Sequence, residues 1–403
     1  MTTKNGAGLV AQPVDSGAEA VAAAVETPAS HLHPKVSWDL EDHPLPKGRE
    51  EVWRFTPVRK LTRLLSGEPT DHGFEVIAAL PAQVSLGTIS EARARVLSVE
   101  PPADRSAAIA CHNTRQASVL DIPAGLELDE PVELTFRGTG VDERIYEHLI
   151  VNVGRAARVK LVFRYEGSTA SAGKIDVRVG EGAQLDFVTL SDWAPDALRA
   201  AQHSVRVGRD AHVRTVQASL GGAVTRLIER ATFEGSGGQL EQFGLYFVDG
   251  ARHVEHRLFI DHNEPHTRSE VDYRGAVQGE GSHSVWVGDV LIRKQAEGIN
   301  TYEANKNLLL TPGARADSIP NLEIETGNIE GAGHSSTTGR FDDEQLFYLR
   351  SRGIPEDEAR RLVVQGFFVD IIRRIQVPDV EERLMAAVDR ELDVIAPEIG
   401  DPR

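Results

Sequence analysis

A single cysteine, Cys111, stands in a chain of 403 residues, so no disulfide can form within it and no metal cluster can be held by its own thiolates. Such sparing use of cysteine fits a reducing compartment. Methionine is almost as scarce, at 2, and aromatic residues make up only 6%. Val, Ala and Gly are plentiful instead, a composition that leans to β-structure with small side chains at tight corners. Lys and Arg number 44 against 61 Asp and Glu, for a net charge of −17. No basic stretch of useful length interrupts this acidity, which argues against nucleic acid as a partner. No apolar run approaches the ~18 residues of a membrane helix, and the N-terminus lacks the basic and apolar regions of a signal peptide. The expected location is the cytoplasm, without a membrane partner.

Several catalytic signatures are missing too. Between Gly167 and Gly173-Lys174 there is one residue too many for a phosphate-binding loop, and Ile175 stands where Ser or Thr is required. There is no Cys-x-x-Cys pair, and no Gly-x-Ser-x-Gly elbow supports a serine hydrolase. Cys111 follows Ile109-Ala110 and reads as a small buried hydrophobe. Asp342-Asp343-Glu344 offers adjacent carboxylates, but their place at a helix start, where negative charge suits the dipole, explains them better than catalysis does.

What is present is a repeat. Val151-Asn152-Val153-Gly154 matches Val177-Arg178-Val179-Gly180 and Val205-Arg206-Val207-Gly208, with a weaker copy at Phe233-Glu234-Gly235. Gly154, Gly180, Gly208 and Gly235 recur at nearly equal intervals, and Leu310-Thr311-Pro312-Gly313-Ala314 reads as a later copy. Each unit is a strand of period two, a Gly/Ala corner and a second strand, the pattern of a β-solenoid. A bulky residue at such a corner would strike the next coil, and glycine also admits positive φ there. A propeller needs about 40 residues per blade, more than this repeat provides, and fits less well.

This core is expected over residues 105–340. Residues 1–45, rich in Ala, Gly, Pro and Ser, read as a disordered arm. Residues 46–104 read as a mainly helical cap, with helices at REEVWRFTPVRKLTRLL and over Thr88–Leu97. Residues 341–403 read as a helical domain closing the other end. Its first helix has Asp342 at the N-cap, Gln345 completing a capping box and Gly353 as the stop. A second starts with Pro355 near its first turn and carries an apolar face through Ala359, Leu362, Val363, Gly366, Phe367 and Ile371. A third runs from about Val380 to Ile395. These helices either bury their stripes on each other or present one to a partner protein.

Histidines gather between Gly244 and Asn307. His253 and His256 fall on opposite faces of a strand and cannot share a metal, whereas His262 and His266 lie in a turn and can converge. One more, His334, stands in Gly331-Ala332-Gly333-His334-Ser335-Ser336, which reads as a loop between the last strand and the first C-terminal helix.

The stretches GARADSIPNLEI, GHSSTTGRFDDEQLFYLRSRGI and ARRLVVQGFF resemble the shared core of the iron–sulfur cluster assembly scaffold proteins SufB and SufD. The resemblance extends from about Val52 to Ile375 and is strongest from His262 to Phe368, through Gly288 and Asn305 to Leu309. EVWRFTP resembles a motif near the start of SufD-type proteins. Together with the repeat, the resemblance implies a right-handed parallel β-helix carrying an N-terminal cap and a C-terminal helical domain. It also implies a non-catalytic subunit of a complex with a SufB-like paralogue and two copies of a SufC-like ABC ATPase. In that complex the ATPase docks on the C-terminal helices around Pro355, Leu362, Phe367 and Phe368, and the last β-helix strands pair with the paralogue. His334 falls on the family's loop histidine, which contributes at the shared interface to iron or a nascent iron–sulfur cluster held transiently there. Two positions depart from the family's pattern. Ala332 stands where many SufD relatives have Cys, and Ser335 stands where SufB-type proteins have an acidic residue. The second places the chain on the SufD side. The rival readings are a β-solenoid enzyme acting on an acidic polysaccharide and a homodimeric scaffold without a metal role.

Overall fold

The computed structural model describes residues 32–70, 73–340 and 343–393. Residues 1–31, most of the expected arm, and the Asp342 cap lie outside these. Residues 33–45 are packed against the body of the protein, so the expected arm is too long at that end. Ser37 donates its backbone N–H to Pro102 O, His43 is buried, and Arg105 donates to Leu40 O and His43 O.

Short 3-10 turns at Leu40–Asp42 and Glu51–Trp53 precede α1 (Val58–Ser66). Then come β1 (Glu75–Ala79), β2 (Ser85–Ser90), α2 (Glu91–Leu97) and α3 (Arg105–Asn113). The helix expected over Thr88–Leu97 is therefore a strand end followed by a shorter helix. Ser90 makes the break, accepting the Arg93 N–H as N-cap.

The strands that follow are β3 (Gln116–Ile122), β4 (Val132–Val153), β5 (Arg158–Val179), β6 (Gln184–Trp193), β7 (Leu198–Gly208) and β8 (His212–Gly221). They continue as β9 (Val224–Glu234), β10 (Gln239–Val248), β11 (His253–His262), β12 (Arg268–Val277) and β13 (His283–Ile292). The last are β14 (Asn300–Leu309), β15 (Arg315–Ile324) and β16 (Gly331–Arg340). Successive strands alternate between two parallel ladders, one running β7-β9-β11-β13-β15 and the other β6-β8-β10-β12-β14-β16. Long β4 and β5 bend through a corner and serve both. The result is a flattened parallel β-solenoid of about eight turns.

Alternate residues of both ladders point inward and stack coil upon coil. Val153, Val179, Val207 and Phe233 stand opposite one another in turn, each one coil beyond the last. The corner glycines Gly154, Gly180 and Gly208 follow directly. A Cβ at Gly154 would lie 2.3 Å from Ala124 N, and one at Gly180 2.6 Å from Arg155 N, so close approach of neighbouring coils excludes a side chain. The positive φ of these corners falls two residues later, at Ala156, Gly182 and Asp210. Two details of the repeat are corrected by the register. Gly208 stands opposite Glu234 rather than Gly235, and Leu310 to Ala314 belongs to the opposite corner, between β14 and β15.

The helices expected as end caps lie along the flanks. Trp53, Leu61, Leu64, Leu65, Ile109 and Ala110 pack on Ala170, Ala172, Ala200 and Val224, the outer face of one ladder. EVWRFTP is held there by polar contacts. The Arg226 guanidinium lies 3.8 Å from the Trp53 ring centroid, and Thr56 Oγ1 donates to Glu255 at 2.6 Å. At the N-terminal end, β2 pairs antiparallel with β3 and β1 with β4, which closes the first coil.

On the other side lie α4 (Asp343–Ser351), α5 (Glu356–Arg373) and α6 (Pro378–Asp393). Val364, Phe368, Ile371, Ile372, Val380, Leu384 and Val388 cover Val188, Leu190, Val216, Leu220, Phe243, Leu245 and Phe247 of the second ladder. The buried face of α5 is offset in part from the one expected: Ala359 and Ile371 are buried as expected, but the sheet selects Val364 and Phe368 rather than Leu362, Val363 and Phe367. No described helix is long and apolar enough to cross a membrane.

Candidate functional site at the open end of the solenoid

Both ladders stop without a partner. Among the described residues β15 pairs with β13 alone and β16 with β14 alone, so each presents a full edge of backbone donors and acceptors. Coils lengthen towards this end. Thr232 stands opposite Asp261, Asp261 opposite Leu291 and Leu291 opposite Glu323, and each step takes in more chain than the one before because the corners widen.

The interior also changes character. In earlier coils it is Val, Leu, Ile and Phe, whereas the inward residues of β14 are Thr301, Glu303, Asn305 and Asn307, all buried. Tyr246 Oη donates to Asn307 Oδ1 at 2.6 Å, and Asn305 Nδ2 donates to Tyr246 Oη at 3.0 Å. Asn307 Nδ2 closes on Asn305 Oδ1 at 2.7 Å. One coil back, Tyr273 Oη donates to Glu229 Oε2 at 2.7 Å and His256 Nδ1 meets Glu229 Oε1 at 2.8 Å. The large rings fit because glycines face them across the ladder. Tyr273 lies opposite Gly244 and Tyr246 opposite Gly275, where any Cβ would meet the ring at 2.1 and 1.8 Å.

Glu303 does not join this network. It is 1% exposed, and neither carboxylate oxygen has a hydrogen-bond partner. Burial, aided by the neighbouring Asp289 charge, pushes its pKa up to about 8. Gly288 makes room for it, since a Cβ there would meet Glu303 Oε2 at 2.4 Å and the Trp286 ring at 2.3 Å. Directly opposite Glu303, on the last strand, is His334. Its Nδ1 lies 3.9 Å from Glu303 Oε1, with the side chain 42% exposed. That separation is too long for a hydrogen bond.

His334 therefore sits in β16 and not in a loop. The run of Gly, Ala, Ser and Thr around it shows no apolar alternation, but backbone pairing with β14 holds it extended throughout. Of the other histidines that the sequence brought forward, His253, His256, His262 and His283 are engaged elsewhere. His253 meets Glu255 at 3.3 Å, so it and His256 take different carboxylates, in keeping with opposite faces. His262 and His266 do not converge. Both His262 nitrogens are taken, by Thr267 Oγ1 at 2.7 Å and Ser269 Oγ at 2.9 Å, and burial pushes its pKa down to about 3. Cys111 is buried in α3, which pushes its thiol up to about 12 and leaves it neither nucleophile nor ligand. His33, Glu323 and Glu325 bring ligand atoms within 4.8 Å of one another at the rim beside β15.

The four residues expected to meet a partner divide. Pro355 is exposed, and Leu362 is 43% exposed. Phe367 is half-buried, with its backbone oxygen taken by Arg274 at 2.8 Å. Phe368 is fully buried under the sheet and presents nothing. Sequence reasoning missed Phe347 and Tyr348 on α4, which stand 74% and 58% exposed. It also missed Glu303, which lies one coil before His334 in the register, and that spacing was the available signal.

Known proteins align with this architecture. The family model described as "SUF system FeS cluster assembly, SufBD core domain" matches residues 136–367, from β4 to α5. An iron–sulfur cluster assembly SufBD family protein of Mycobacterium tuberculosis (strain H37Rv) is 45% identical over 365 residues, covering 89% of this chain and 92% of the relative. Mycobacterium leprae (strain TN) has two relatives of that description. One is 42% identical over 365 residues, covering 89% of this chain and 93% of its own length. The other is 25% identical over 275 residues, covering 66% of this chain but 31% of its own length.

Proposed function

This chain belongs to the SufBD family of iron–sulfur cluster assembly proteins, and from that premise we propose that it is the SufD-like, non-catalytic scaffold subunit of a cytoplasmic assembly complex. The observation that carries the proposal is the open C-terminal coil, where two unpaired strand edges and a half-exposed imidazole share one face. An unpaired edge is a template for another chain's strand. The occupant is a cysteine-bearing paralogue of SufB type, which supplies the thiolates this chain lacks. The presence in one organism of two relatives, one near this chain and one far, supports such a division of labour. His334 then completes a site for iron or a nascent cluster, which passes through as cargo.

The exposed patch of Phe347, Tyr348, Leu362 and Pro355 is the docking surface for a SufC-like ATPase. Its place on α4 and on α5, of which α5 rests directly on the sheet, lets movement of the ATPase shift this subunit against its paralogue. Helical layers over the outer faces of both ladders cover much of the surface on which a polysaccharide-degrading solenoid would lay its substrate, which favours a scaffold. Replacing the imidazole tests the role of the site. His334→Ala is expected to lower cluster-dependent enzyme activity in cells several-fold while both partners still co-purify. Unchanged activity would remove His334 from the chemistry.

A further inference from the structure

We propose that Glu303 is a second ligand beside His334, so that this chain offers ferrous iron a carboxylate–imidazole pair at the open end of its solenoid. The inference rests on the reading of His334 given above and adds a buried residue to it.

A carboxylate that is 1% exposed is costly unless something satisfies its oxygens. The polar residues around it show how the interior ordinarily does this. Asn305, Asn307, Tyr246, Tyr273, His256 and Glu229 are hydrogen-bonded to one another. Glu303 alone among the inward side chains of β14 leaves two oxygens without a partner. The backbone is adapted to it, for Gly288 leaves the space that the carboxylate and the Trp286 ring occupy. An apolar side chain would fill that space at lower cost in stability, so the carboxylate answers a need other than packing.

Position and distance identify the need. Glu303 and His334 are register partners on the last two strands of one ladder. Their facing atoms are 3.9 Å apart. Two bonds of about 2.0–2.1 Å from one first-row metal ion span at most about 4.2 Å, so a single ion can join them where a hydrogen bond cannot. One ligand is buried and one half-exposed, so the remaining coordination positions face the open end and a partner's groups. The donor set is oxygen and nitrogen, with the chain's one thiol buried far from acidity in α3. Such a pair suits ferrous iron rather than a thiophilic ion.

The test is anaerobic equilibrium dialysis of the purified full-length chain against ferrous iron, comparing wild type, Glu303→Gln, Glu303→Asp, and His334→Ala. The wild type should bind one iron per chain. Glu303→Gln, which keeps shape and volume, should weaken binding at least 10-fold without lowering the thermal unfolding midpoint. Glu303→Asp keeps the carboxyl group but withdraws it by one methylene, and should also weaken binding, which a role that depends only on the presence of a carboxyl would not predict. If His334→Ala abolishes binding while both Glu303 variants bind like wild type, the Glu303 assignment is overturned and the His334 reading stands. If all variants bind equally, or wild type binds no iron, both assignments fall.

Discussion

Protonation shows most directly what single side chains contribute. His203 and His262 are held neutral inside the solenoid, their pKa values pushed down to about 4 and about 3 chiefly by burial, with Arg199 adding repulsion at His203. In the unfolded chain both titrate near 6.5, so the unfolded state takes up protons first. Their contribution is complete above that value and is lost as pH falls towards 4 and then 3. Each unit of acidification below about 6 should cost roughly 1.4 kcal/mol per histidine. Asp176 and Glu241, both lowered to about 2, act only at lower pH, whereas Glu303, raised to about 8, works in the opposite sense over the same window and offsets part of the histidine loss. Urea midpoints between pH 7 and 4.5 check this, with His203→Gln and His262→Gln expected to flatten the profile. At this scale the sequence was partly legible. Cys111 as a buried hydrophobe and the opposed His253 and His256 follow from neighbours and strand alternation. Glu303 did not, because a carboxylate in a strand reads as outward unless its register partner is known.

Among elements, the early coils were readable because glycine is forced wherever coils touch. Gly154, Gly180 and Gly208 recur since a Cβ at each would strike backbone of the adjoining coil. Beyond β9 the corners lengthen and the period drifts upward, from the step between Val153 and Val179 to the longer one between Leu291 and Glu323, so corner glycines such as Gly279 and Gly298 no longer recur at one spacing. The repeat fades from the sequence while the ladder continues. β16 was unreadable for a different reason. Its residues face a polar interior on one side and little on the other, so no apolar alternation marks it as a strand. The C-terminal helices were legible as helices but not in orientation, since the sheet they lie on decides which stripe is buried. That contrast is measurable. Phe368→Ala should cost about 3–5 kcal/mol of stability, as for other buried aromatics. Leu362→Ser should change stability by no more than about 0.5 kcal/mol, as expected for an exposed position. In the proposed complex the second variant, not the first, should release the ATPase from an otherwise folded scaffold. Urea unfolding and co-purification together check the pair.

The whole molecule is asymmetric in a way that suits it to the partners proposed above. One end is closed by antiparallel strands, both flanks are covered by helices, and the other end is left with two free edges and a polar interior. Such an end is a liability in isolation and an asset in a complex. The acidic balance of the chain keeps isolated copies apart in the meantime. The most direct test of the account is recovery of the tagged chain from its own cell, followed by intact-mass analysis of the native complex. The account predicts an ATPase and a cysteine-bearing member of the same family, with a mass fitting two copies of the first and one each of the second and of this chain. Recovery of this chain alone, or only as a pair with itself, would contradict it.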